Sequence, residues 1–327
     1  PQQTEAEVLA YLQRQHGLKV SAEQLFWLPG LVQGLNLVCR AAGKAGDAVM
    51  VNTPVYPPFL LAPVQADRVR LAVPLRETEG KWTFDREAME AAVTPETRLY
   101  LLCNPHNPVG RVFDREELTW LLDFAERHDL WICADEIHCD LILDDVPHIP
   151  FLSLGPRAAA RTIAFYSVSK TYNLPGLACA YAVIPNPSLR AAFQKVCRGI
   201  ITEVNCFGYA GTEAAYRHGE PWRQEMLSVL RGNRDLIVEQ LGARFPQIRI
   251  PRIEATYLAW LDLRAWKLPH PAAHMEAHGL SLSNGVDFGA ETGFLRLNFG
   301  CDRQRLSEGL ERLGRALEAV SDSACGS

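Results

Sequence analysis

Three short polar clusters each follow an apolar run, and between them they carry the groups that could do chemistry. Ser167-Val-Ser-Lys170 follows Thr162-Ile-Ala-Phe-Tyr166; Asp135-Glu-Ile-His138 follows Leu130-Trp-Ile-Cys-Ala134; Asn104-Pro-His-Asn-Pro-Val-Gly110 follows Leu99-Tyr-Leu-Leu-Cys103. Each run reads as a buried strand, so a lysine, a carboxylate, an imidazole and an amide sit where strands end. Lys170 alone has three readings. It is a solvated surface lysine, the base of a Ser–Lys pair in an S-x-x-K pattern, or an amine that holds an aldehyde cofactor as a Schiff base. The other clusters have plain readings too. NPHNPVG is good turn chemistry, and a carboxylate at a strand end can cap the next helix.

The elements that must position these groups alternate along the first two thirds of the chain. Strands are expected at Leu25–Leu28, Ala48–Asn52, Val69–Val73, Leu99–Cys103, Leu130–Ala134, Thr162–Tyr166 and Cys179–Ile184. Helical patterns lie between several of them, with Asp85 and Asp114 as caps. The strands are continuously apolar rather than alternating, which indicates an α/β fold with a mainly parallel sheet sandwiched by helices. In such sheets ligands gather beyond the C-terminal strand ends. A long helix over Pro221–Arg244 precedes short strands at Thr256–Leu261, Leu280–Ser283 and Phe294–Phe299 and a closing helix from Asp302 to Val320. That texture predicts a large domain over 1–224 and a smaller C-terminal α+β domain over 225–327.

Composition narrows the class. The 327 residues are 48% hydrophobic and 22% charged, with a net charge of −5. This is a globular balance that points to neither nucleic acid nor an anionic membrane. No apolar run approaches the ~20 residues of a membrane span. Nine cysteines without a C-x-x-C pair read as buried thiols in a reducing cytoplasm. Spacing suggests no metal site.

Taken together, the strand-end groups are those a pyridoxal 5′-phosphate (PLP) site needs. A lysine anchors the aldehyde, and a carboxylate keeps the pyridine nitrogen protonated. Tyr56, between prolines in a strand-end loop, is a ring to stack on the cofactor. Pro29-Gly-Leu-Val-Gln33 offers a helix N-terminus to a phosphate.

The sequence resembles fold-type I PLP enzymes of the class I/II aminotransferase superfamily. Within it, the chain is most similar to the MalY/PatB-type carbon–sulfur β-lyases. LPGLVQGLNL, NTPVYPPF, CNPHNPVGRVF, ADEIHCDLIL, PHIPF, SVSKTYNLPGL and FLRLNFGC carry the likeness over nearly the whole chain. The resemblance implies Lys170 as Schiff-base lysine, Asp135 on the pyridine nitrogen, and Asn107 and His138 toward the phenolate oxygen. It implies Tyr56 stacked on the ring, and Ser167 with the backbone of Leu31 and Val32 on the phosphate. Arg296 would take the substrate carboxylate as a bidentate fork. Alternation in Phe294-Leu-Arg-Leu-Asn-Phe299 agrees, because it sets Arg296 and Asn298 opposite Leu295, Leu297 and Phe299.

Two departures from the family pattern stand out. Ala178 occupies the place, eight residues after the lysine, where many aminotransferases carry a phosphate-binding arginine. The sequence also opens almost at the helix before LFWLPG, where relatives carry a further N-terminal stretch that reaches the partner subunit. The resemblance implies a cytoplasmic homodimer acting on an amino acid. The expected activity is α,β-elimination from cystathionine or a related cysteine conjugate. The alternatives are an aminotransferase and a PLP-fold regulatory or binding protein with little catalysis. The Ser–Lys hydrolase reading weakens, since neither S-D-N nor K-T-G accompanies S-x-x-K.

Overall fold

The computed structural model describes residues 2–201 and 203–325, and twelve strands form among them. They are β1 (Leu25–Leu28), β2 (Ala48–Thr53), β3 (Val69–Pro74), β4 (Arg76–Thr78), β5 (Lys81–Thr83), β6 (Thr97–Cys103), β7 (Trp131–Asp135), β8 (Thr162–Tyr166), β9 (Ala180–Val183), β10 (Leu258–Asp262), β11 (Ser283–Asn284) and β12 (Phe294–Asn298). Seven make one sheet in the order β1-β9-β8-β7-β6-β2-β3. Strands β3, β2, β6, β7 and β8 run parallel, while β9 is antiparallel to both β8 and β1. The mainly parallel, helix-covered sheet expected from the apolar runs is the one observed.

Period-two alternation divides the sheet between two cores. Tyr100, Leu102, Ile132, Ala134, Ala164 and Tyr166 face helices Gln2–His16 and Arg115–Arg127. Leu99, Leu101, Cys103, Cys133, Ile163 and Phe165 face helices Leu31–Ala41, Pro57–Gln65 and Pro187–Cys197. Asp135 shares the parity of Cys133, and Cys103 pairs with it in register. The carboxylate is thereby aimed at the same side as helix Leu31–Ala41.

The small sheet runs β10-β12-β11, all antiparallel. Helices Glu220–Arg244 and Arg303–Cys325 cover one side through Leu227, Leu230, Ile237, Leu306, Leu310 and Leu313. β11 shares only Ser283 with the strand expected at Leu280–Ser283, because Leu280 and Leu282 pack on that core instead of extending the ladder. The β4–β5 hairpin is a feature that the polar stretch Arg76–Lys81 hid. It closes on Glu79 and Gly80, both at positive φ (53° and 77°).

Candidate active site

Lys170 follows β8 in a four-residue helix, Val168–Thr171, rather than in an open turn. Ser167 caps that helix by accepting the Ser169 amide hydrogen at 3.1 Å, which fixes the lysine's direction. The Lys170 amine is half-buried. Burial and the charge of Arg296 push its pKa down, against the opposing charge of Asp135.

Asp135 is the last residue of β7 and is buried. Its Oδ1 accepts one hydrogen bond, from Ile137 N at 3.1 Å. Burial drives its pKa up to about 7, Glu136 adds to the rise, and Ile137 and Lys170 oppose it. A carboxylate this poorly satisfied calls for a cation, which a protonated pyridine nitrogen would provide. Glu136, the next residue, is structural. Its Oε1 accepts Phe151 N at 2.6 Å and its Oε2 accepts the Tyr166 hydroxyl at 2.5 Å. It also pairs with His148 Nε2 at 3.3 Å, so the PHIPF segment is tied to β7.

Asn107 belongs to a loop held by its own backbone and by Asn104. His106 N donates to Arg111 O at 2.7 Å, and Phe113 N donates to Asn104 Oδ1 at 3.1 Å. Asn107 Oδ1 accepts from Arg296 Nη1 at 3.0 Å. A guanidinium only donates, so the Asn107 amide nitrogen is left as a free donor. Tyr56 N donates to Asn107 O at 3.0 Å, which seats the tyrosine loop on the asparagine loop. His138 is buried and neutral. Burial, Lys170 and Arg296 push its pKa down to about 3, and its Nδ1 has no partner. Arg296 also reaches Ser283 Oγ at 3.2 Å and lies 4.7 Å from the Phe288 ring centroid.

A cavity of about 320 Å³ gathers these groups. Leu31, Val32, Tyr56, Asn107, Asp135, His138, Lys170 and Arg296 all line it. Ser167 does not: its hydroxyl donates to Cys179 O at 2.8 Å, and its neighbour Ser169 lines the wall. Tyr257, Leu258, Asn298 and Cys103 also line it. Asn298 was visible by alternation with Arg296. Tyr257 was not, because its parity with Ala259 and Leu261 pointed to the small core, on which it also packs.

The donors suit PLP. Helix Leu31–Ala41 begins at Gly30 without a side-chain cap, so its first amides are available to a phosphate. Asp135, the Asn107 amide, Tyr56 and Lys170 offer an anion, a donor, a ring and an amine along one wall.

The chain also resembles known proteins over nearly its whole length. The chain is similar to cystathionine beta-lyase PatB of Bacillus subtilis, at 34% identity over 97% of this chain and 83% of that protein. The crystal structure of OvoB superposes with a TM-score of 0.94 at 42% identity, covering 97% of this chain and 83% of that one. Cystalysin from Treponema denticola, whose crystal structure contains a pyridoxal 5′-phosphate cofactor, gives 0.94 at 30% identity over 98% and 83%. The model of the family described as aminotransferase class I and II matches residues 2–313, and the chain belongs to that family.

Proposed function

We propose that this protein is a PLP-dependent carbon–sulfur β-lyase. It would act on cystathionine or a related cysteine S-conjugate, releasing a thiol, pyruvate and ammonia. The observation that carries the reading is the convergence of Lys170, Asp135, Asn107 and Arg296 on one cavity in a chain 34% identical to a cystathionine beta-lyase.

When bound, PLP supplies an aldehyde to amines and a ring that takes up the electron pair left when the Cα proton departs. Lys170 would anchor the cofactor, and Asp135 would hold positive charge at the ring nitrogen. Asn107 and His138 would serve the phenolate oxygen, and Tyr56 the ring face. Ser167 and the amides of Leu31 and Val32 would serve the phosphate, Ser167 by holding the turn that Ser169 belongs to. Arg296 takes the α-carboxylate as a fork preset by Asn107 and Ser283. The Lys170 amine, with its lowered pKa, removes the Cα proton. The Cβ–S bond then breaks, sulfur leaves with the bonding pair and is protonated, and one water converts the remainder to pyruvate and ammonia.

We read the chain as a large part, 1–224, and a smaller part, 225–327. A separate apolar core supports that division: it is drawn from Leu227–Leu317, with Leu141 and Leu143 of the large part joining it. A homodimer is supported by the exposed Val32, Leu61 and Val64 on the two helices beside the cavity. Buried, unpaired Cys39, Cys103, Cys133, Cys139, Cys179 and Cys197 support a reducing, cytoplasmic setting. Among the described residues, no helix is long and apolar enough to cross a membrane.

The deciding experiment incubates PLP-loaded protein with cystathionine and no 2-oxo acid. Catalytic pyruvate is expected. One-for-one conversion to the pyridoxamine form would instead assign an aminotransferase.

A further inference from the structure

Thr256 holds a β-branched side chain at φ 73° and is fully buried. For an L-residue the left-handed region is unfavourable, and β-branching makes it a clear outlier. Such strain persists only where the surroundings over-determine it, and here they do. Thr256 N donates to Leu141 O at 2.8 Å, and Leu258 N donates to Thr256 Oγ1 at 3.2 Å. Just before it, the amides of Glu254 and Ala255 both donate to Gly110 O at 3.0 Å. Just after it, Tyr257 O accepts from Phe299 N at 2.9 Å.

The bend sets where the next residue lies. In β10, Ala259 and Leu261 belong to the small core, while Trp260 pairs with Arg296 and Leu258 with Asn298. Alternation turns Tyr257 to the side of Ala259 and Leu261, and Tyr257 packs on that core. It nevertheless lines the cavity together with Leu258. The Tyr257 ring stands edge-on to His138, with centroids 6.2 Å apart and planes at 90°. Burial raises the phenol's pKa and the charge of Arg296 opposes the rise, so the two groups share the same corner. Among the described residues, nothing is bonded to the Tyr257 hydroxyl.

We propose that Tyr257 contacts the substrate, its hydroxyl donating to the amino acid's carboxylate beside Arg296, and that the left-handed backbone at Thr256 is the positioning device that presents it. This rests on the reading that Arg296 receives that carboxylate.

The test uses the PLP-loaded protein with Y257F, T256V, T256N and the double variant T256V/Y257F. The apparent Kd for cystathionine is read from the cofactor's absorbance, alongside kcat for pyruvate. Y257F is expected to weaken binding roughly tenfold or more, as for a hydrogen bond to a charged group. T256V keeps the β-branch that disfavours a positive φ but loses the Oγ1 that holds Leu258 N. It should weaken binding in the same direction with little further change in kcat, and should add nothing in the Y257F background. T256N, whose side chain tolerates a positive φ, should retain wild-type binding. An unchanged Kd in Y257F, or equal losses from T256V with and without Y257F, overturns the proposal. Absorbance saturation without pyruvate would overturn the lyase reading alone, since the binding series still reads Tyr257.

Discussion

At the scale of single residues, the site is governed by two ionisable groups that the fold leaves under-satisfied. In the proposed mechanism Lys170 is both anchor and base, so Lys170→Ala should abolish pyruvate formation. Retention of full turnover in a continuous pyruvate assay would refute its role. Asp135 carries a sign that can be checked without any substrate. Its folded pKa, about 7, lies above the ordinary 3.8. A raised carboxyl stabilises the fold below the unfolded value and loses that contribution as pH rises through the folded one. The cofactor-free protein should therefore lose on the order of 3–4 kcal/mol between about pH 4 and pH 7 from this group, as an upper bound. Asp135→Asn should flatten that part of the pH–stability curve in denaturant titrations and weaken PLP retention. An unchanged curve would show that Asp135 is charged in the empty site. These groups were legible in the sequence because each ends an apolar strand. Ser169 was not, because the choice between Ser167 and Ser169 depends on which hydroxyl turns inward to Cys179 O, a tertiary matter.

At the scale of elements, helix Leu31–Ala41 lies close against β8 because Gly34 has no side chain. A Cβ there would come within 2.9 Å of Phe165 Cζ and 3.1 Å of Leu28 Cδ1. Gly34→Ala is expected to cost ~1–3 kcal/mol by overpacking and to lift the helix start from the phosphate position. Chemical denaturation should show the first effect and PLP affinity the second; a variant as stable as wild type would count against the close packing. The strands were readable as elements because burial on both faces gives uninterrupted apolar runs, as in the fully buried β2, β8 and β9. The edge strand β3 is largely exposed, and its Val69–Val73 run still marked it. The β4–β5 hairpin escaped because nothing apolar marks its turn, whose geometry is set by two positive-φ residues. Ala178 likewise looks like an ordinary small residue in sequence. In the fold it takes a left-handed conformation (φ 47°) at the end of the 3₁₀ turn Pro175–Leu177.

At the scale of the molecule, two buried polar networks hold distant segments to the site. His16 Nε2 sits 3.1 Å from Asp140 Oδ1, which fastens the first helix behind the DEIH segment. Arg111 bridges Glu117 at 2.6 Å and Glu254 at 2.8 Å, with all three side chains nearly inaccessible. Arg111→Met would leave two carboxylates buried without their cation. Breaking a buried network by one partner typically costs ~3–5 kcal/mol. The variant should unfold at markedly lower denaturant, and equal midpoints would show that the carboxylates find other partners. The sequence placed Arg111 in a recognisable motif but could not pair it with Glu254, 143 positions away.

Gly110 O, which accepts two amides from the segment before Thr256, has a wider consequence. Through it, the loop that carries Asn107 and the segment that carries Tyr257 are stitched along one backbone seam. The cofactor and substrate roles proposed for them are thus kept in a common registry. A change in the small sheet that shifts the seam would move Asn107 and Tyr257 together. Substrate range in this fold is therefore easier to retune at side chains such as Asn298 than by moving the segment that carries Tyr257.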